Sequence, residues 1–203
     1  MTAKSFEESL IAKLGSDSVR KIRSARIGIA GAGGLGSNCA ACLVRSGFRK
    51  LTIVDFDSVE PSNLDRQFYF HDQIGMPKVG ALKTNLLRIE PQLELETIQI
   101  RIEEWNVATL FKDCVAVAEC LDRAEYKSIL VADLLKRKIF TVTASGLGGI
   151  GGSDAITIRR ITENLVMVGD QVSDVCLKPA IAPRVMVAAA KQADAILEFI
   201  LKI

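Results

Sequence analysis

The sequence predicts an α/β protein: a Rossmann-like, mostly parallel sheet flanked by helices, with a mixed or antiparallel part late in the chain. Three observations carry this. Short apolar runs alternate with helical stretches, the order that builds βαβ units. A Gly-x-Gly-x-x-Gly segment, Gly31 to Gly36, stands between the first apolar run and the helix after it. An acid, Asp55, closes the next apolar run, about 20 residues further on, where a dinucleotide-type fingerprint places one.

The elements follow in order. Ser5 and Glu8 read as a capping box opening a helix with Leu10, Ile11 and Leu14 on one face. Arg26 to Ala30 is the first strand, and the helix after the glycines runs to about Ser46. Leu51 to Asp55 is the second strand, and Pro61 to Ile74 is irregular. Gly75 and Pro77 open a helix whose Val79, Leu82, Leu86 and Ile89 form one stripe; Glu90-Pro91 ends it. Leu93 to Ile100 reads as a strand, Glu104 to Phe111 as a short helix, and Cys114 to Glu119 as a buried strand. Arg123 to Lys136 is helical and Ile139 to Ala144 a strand. The glycine-rich stretch from Ser145 to Ser153 is a turn or a substrate-channel loop. Ala155 to Arg159 returns as a strand, and Pro179 to Leu201 is mostly one alanine-rich helix. Residues 1–203 are expected to form a single domain.

Composition narrows the function. A net charge of +2 lacks the basic excess of a chain devoted to nucleic acid. Lys191, Asp194 and Glu198 interrupt the apolar C-terminal stretch, so no membrane span is expected. The start lacks a signal peptide's apolar core, and a cytoplasmic address follows by default. Five cysteines and one histidine, with Cys39-x-x-Cys42 as the lone close pair, give no zinc framework. Cys39, Cys42, Cys114 and Cys120 read as packing residues.

Gly31, Gly33, Gly34 and Gly36 let a phosphate approach the backbone at a helix N-terminus, and Asp55 can accept from ribose hydroxyls. The bland alternative is a tight strand–helix turn without a ligand. The fingerprint serves ATP and NAD equally. Beyond it, Asn63, Arg66 and Gln67 can converge above the C-terminal edge of the sheet. Lys78 falls in the first turn of its helix, where the dipole disfavours a cation, so a negative partner should lie nearby. A triphosphate would suit.

Gly31-Ala32-Gly33-Gly34-Leu35-Gly36, Val54-Asp55-Phe56-Asp57, Ser62-Asn63-Leu64-x-Arg66-Gln67 and Gly75-x-Pro77-Lys78 together resemble the ThiF/MoeB/ubiquitin-activating superfamily. The short chain looks most like the ThiF-type adenylyltransferases of sulfur-carrier proteins. The resemblance implies ATP held by the glycine loop with Asp55 and Asp57, phosphates lined by Asn63, Arg66 and Lys78, and Mg²⁺ on Asp122. It implies adenylation of the C-terminal glycine of a small ubiquitin-like carrier ending in Gly-Gly, ThiS-like and serving thiamin thiazole synthesis. It further implies a homodimer, a sulfur donor, and Cys176 as a thiol joined to the activated carrier. A molybdopterin carrier or a tRNA are alternative substrates within the superfamily. An NAD-dependent oxidoreductase and a non-catalytic scaffold are the alternatives outside it. The family's metal-site segment reads here Glu119-Cys120-Leu121-Asp122-Arg123, with Arg123 at the usual asparagine. The family's zinc CxxC pairs are missing. Arg20 and Arg23 are the substitutes for an arginine that many members lend to a neighbouring subunit.

Overall fold

The computed structural model describes residues 5–174 and 177–202. The chain begins with α1 (Phe6–Leu14) and α2 (Ser16–Ser24), then β1 (Arg26–Ala30), α3 (Gly34–Arg45) and β2 (Lys50–Val54). α4 (Lys78–Leu87), β3 (Glu94–Ile98), α5 (Val107–Leu110), β4 (Ala116–Glu119) and α6 (Ala124–Lys136) follow. β5 (Phe140–Ala144), β6 (Thr157–Thr162), β7 (Leu165–Gly169) and α7 (Ala182–Leu201) complete the order.

The strands form one sheet in the order β3-β2-β1-β4-β5-β7-β6. All neighbours pair parallel except β6 with β7. The expected late antiparallel part is the single edge strand β6. β7 was not anticipated. It slots between β5 and β6, in register with β5 from Thr141↔Leu165 to Ala144↔Val168.

Both sheet faces are covered, which is why β1, β2, β4 and β5 are nearly continuous apolar runs. One face packs Ile27, Ile29, Leu51 and Ile53 against Leu43, Phe48 and Leu82, with Ala188, Ala189 and Ile196 of α7 in the same cluster. The Phe140 ring stacks on Phe199 of α7 at 4.0 Å. The other face packs Val54 and Val117 against Phe111, Leu130 and Leu134. Gly28 makes room there, since a Cβ would stand 2.5 Å from the Phe111 ring.

At the N-terminus the capping box forms: Ser5 Oγ accepts from Glu8 N at 3.2 Å, and Glu8 Oε2 accepts from Ser5 N at 2.7 Å. Only Leu10 of the predicted apolar face is buried; Ile11 and Leu14 are exposed. The unanticipated α2 begins where Gly15, at φ +81°, breaks the first helix, and buries Val19 and Ile22. Among the described residues, no helix is long and apolar enough to cross a membrane.

One feature of this topology positions a site. β1 has β2 on one side and β4 on the other, so the chain leaves it in opposite directions. This is a topological switch point, and ligands of open α/β sheets bind outside the carboxyl ends of the strands at such points.

Candidate functional site

The glycine loop is close-packed below and open above. Gly31 sits at φ +93°, and a Cβ there would lie 2.8 Å from the Cys120 carbonyl oxygen. A Cβ on Gly36 would collide with the Gly31 carbonyl. Around Gly33, only Gln67 Nε2 comes within 4.0 Å of a Cβ position. The N-cap of α3 is Gly33, with no side chain closing it, so the positive end of a 12-residue helix faces that space. This is the cradle a phosphate needs.

Asp55 anchors the cradle. Its Oδ2 accepts from Ala32 N at 2.6 Å and its Oδ1 from Asp57 N at 2.7 Å. Burial pushes its carboxyl up, against the pull of those two N–H groups and of Lys78. An ionised carboxylate has about four acceptor sites, so capacity remains for two hydroxyls.

Lys78 is buried at the start of α4, and its ammonium lies 2.9 Å from Asp57 Oδ2. The negative partner anticipated for this lysine is thus a carboxylate of the same chain. Lys78 N also donates to Asp57 O at 2.9 Å. Tyr69 Oη donates to Ala32 O at 2.7 Å and bridges to Lys78 O at 3.3 Å, which ties the glycine loop to α4.

Residues 61–67 close the other side. Asn63 is buried, its Oδ1 accepting from Glu60 N at 3.0 Å, and its carbonyl accepts from Gln67 N at 2.9 Å. Arg66 lays its stem over Gly34, with Cγ 3.4 Å from where a Cβ would stand. Its Nη1 donates to Asp65 Oδ1 at 2.6 Å and Ser62 O at 3.1 Å. Asn38 of α3 donates to Arg66 O at 2.9 Å. Gln67 is buried beside Gly33, and its Oε1 has no partner. Such an orphaned buried acceptor costs about 1–3 kcal/mol.

Asp122 follows the Cys120–Leu121 turn that packs against Gly31, and it is exposed. Glu119 shapes that turn from full burial. Its Oε1 accepts from Leu121 N at 2.7 Å; its Oε2 accepts from Thr143 Oγ1 at 2.5 Å and from Lys127 Nζ at 2.7 Å. Gln192 of α7 donates to Glu119 O at 3.1 Å. Sequence reasoning missed this network because its four members come from four separate elements. The signal was a charged residue closing an apolar strand, which burial forbids without partners. Arg123 is the N-cap of α6, and its side chain supplies no capping bond. Among the described residues no group of three or more His, Cys, Asp or Glu stands where it could hold a metal ion.

A second hub joins the C-terminal loops to the cradle. Val185 of α7 presses on Gly34, 2.9 Å from the Cβ position. Its neighbour Arg184 is buried, donating to Gly151 O at 2.8 Å, Gly152 O at 2.9 Å and Asp170 Oδ2 at 2.5 Å. Burial alone would raise the Asp170 carboxyl. The N–H groups of Ser173 and Val172, with Arg184, instead hold it at about 2. A carboxyl lowered on folding stabilises the fold above its ordinary value of 3.8, and that contribution fades as pH falls toward 2. Asp170→Asn should therefore be less stable at neutral pH and show a shallower loss between about pH 4 and 2. Acid unfolding followed by circular dichroism checks this; parallel curves for the two proteins would contradict it.

The structure thus links the glycine loop to Asp55 through Ala32 N, to Arg66 through Gly34, and to Lys78 and its partner Asp57 through Tyr69, while Asp122 lies three residues past the end of β4. Cys176 lies outside the described residues. Cys39 is buried and Cys42 half-buried, and burial raises both thiols. Arg23 is held within its own chain by Glu7 at 2.7 Å and Glu90 at 3.6 Å, while Arg20 pairs with Asp17 on an exposed face.

The profile of the ThiF family matches residues 7–203. The chain is 35% identical over 115 residues to the molybdopterin-synthase adenylyltransferase of Haemophilus influenzae, covering 56% of this chain and 47% of that protein. It is 30% identical over 154 residues to the sulfur carrier protein ThiS adenylyltransferase of Bacillus subtilis, covering 74% and 46%. The chain spans about half the length of these curated relatives. Its fold is like that of Escherichia coli tRNA N6-threonylcarbamoyladenosine dehydratase in complex with ATP. There the TM-score is 0.86 at 21% identity, over 96% of this chain and 93% of that one.

Proposed function

The chain belongs to the ThiF family, and from that premise we propose that it adenylates the C-terminal glycine of a small ubiquitin-like sulfur carrier. ATP lies over the glycine loop. The carrier's carboxylate attacks the α-phosphorus, pyrophosphate leaves, and an acyl-adenylate remains. A carboxylate is already ionised at neutral pH, so no general base is required. The protein's work is positioning and stabilising charge on phosphate oxygens.

The observation that carries the reading is the open N-cap of α3 at Gly33, on a loop tied to Asp55 through Ala32 N and with Arg66 beside the neighbouring Gly34. Asp55 serves the ribose hydroxyls. Asn63, Arg66 and Lys78 serve the phosphates. Mg²⁺ commonly takes one or two carboxylates and completes its shell with phosphate oxygens and water, so Asp122 alone fits it. When bound, the ion supplies charge neutralisation to the phosphates.

The carrier is ThiS-like in the first reading, serving thiamin synthesis, as the relative from Bacillus subtilis supports. The molybdopterin carrier is the second, favoured by the higher identity to the Haemophilus influenzae protein. A tRNA substrate fits less well with a net charge of +2. Homodimerisation belongs to the same proposal, and exposed Phe70, Ile74 and Met76 on one segment support it. A role for Cys176 in holding the activated carrier is proposed on the resemblance alone.

Exchange of labelled pyrophosphate into ATP, with each carrier supplied in turn, tests the activity and names the substrate. Calorimetry should show ATP·Mg²⁺ bound well and NAD poorly; the reverse order would overturn the reading. Asp55→Ala should weaken ATP binding by about 1.5–3 kcal/mol, the range for hydrogen bonds to a charged group.

A further inference from the structure

We propose that Asp57 and Asp65 are resident counter-ions of the two phosphate-binding cations, and that they decide which anions the site admits. This rests on the nucleotide reading above. Each candidate cation already carries a carboxylate: Lys78 Nζ lies 2.9 Å from Asp57 Oδ2, and Arg66 Nη1 lies 2.6 Å from Asp65 Oδ1. The pairs share a design. The cation is the more buried member, at 8% and 30% side-chain exposure, and each carboxylate is 46% exposed. Asp55 adds a third carboxylate beside the cradle.

Two cations therefore face three carboxylates. A polyphosphate entering this site does not meet a positive pocket. It must share Arg66 with Asp65 and Lys78 with Asp57, or displace those carboxylates. The carboxylates then stay within a few ångströms of the phosphates, and like charges so placed repel. A polyphosphate whose charge is already partly neutralised by a divalent cation escapes most of that repulsion. The backbone N–H groups at the start of α3 bind either form. Discrimination against bare anions thus arises from the chain's own acids, before any chemistry.

The probe is inorganic pyrophosphate, titrated with and without Mg²⁺ at low ionic strength and followed by calorimetry. Asp65→Asn should bind bare pyrophosphate about two- to fivefold more tightly than the wild type, the range for releasing a part-exposed ion pair. Its affinity for the Mg²⁺ form should change less. Raising the salt should shrink the gain. In an Arg66→Ala background, Asp65→Asn should bring a smaller gain, because competition for the cation is gone and only direct repulsion of the anion is relieved. Asp57→Asn should act in the same direction, but it strips a buried ammonium of its partner, so Asp65→Asn is the decisive variant. Weaker or unchanged binding of bare pyrophosphate by Asp65→Asn overturns the proposal, as does an equal gain for both forms. A wild type that binds neither ATP nor pyrophosphate refutes the nucleotide reading itself. Normal ATP binding with no effect of Asp65→Asn refutes the counter-ion role alone.

Discussion

Replacing Lys78 with alanine should lower carrier-dependent pyrophosphate exchange about a hundredfold or more while leaving the fold intact. The two halves of this expectation have separate reasons. Exchange depends on spreading the charge that builds on phosphate oxygens as the bond to pyrophosphate breaks. A buried ammonium is worth far more there than one in water. The fold tolerates the loss because the partner left behind, Asp57, is 46% exposed and can be solvated. The backbone bond from Lys78 N to Asp57 O survives the substitution. Circular dichroism and the exchange assay separate the two. Near-wild-type exchange would remove Lys78 from the mechanism, and lost secondary structure would make it a folding residue.

Arg184→Ala is expected to act the other way, mainly on stability. Arg184 and Asp170 are 7% and 13% exposed, and removing one partner of a buried pair costs about 3–5 kcal/mol. For a chain of this size that is a fall in Tm of roughly 6–20 °C. The substitution also frees the Gly151 and Gly152 carbonyls and loosens the first turn of α7, where Val185 meets Gly34. ATP affinity should drop with stability, though less steeply than in Asp55→Ala. A Tm within a degree or two of wild type would contradict this account.

The sheet was largely legible in the sequence because its inner strands are buried on both faces. Arg26 to Ala30 and Ile139 to Ala144 read as strands from their short apolar runs. The cradle was legible because Gly31, Gly36 and Asp55 carry geometry in their residue types. What escaped did so for physical reasons. α2 offers only Val19 and Ile22 as apolar residues among nine, so its helical period is barely written. β7, Leu-Val-Met-Val-Gly, is too short for period to separate strand from helix, and its partner β5 lies over 20 residues earlier. The Asp57–Lys78 and Asp65–Arg66 pairs, the Glu119 network and the Arg184 hub are contacts through space. Their members looked like separate charges.

β6 is the last strand of the sheet, exposed along its whole length, and it pairs on one side only. Its free edge is a template on which another chain could lay a strand. Ile158 and Ile161 would favour such an addition. Arg159 and Arg160 stand between them, and the register slips between Arg160 and Thr162. Charge and bulge are two of the devices by which open edges resist aggregation. The arginines of this strand, which touch nothing in the cradle, thus bear on whether the protein stays dispersed at high concentration.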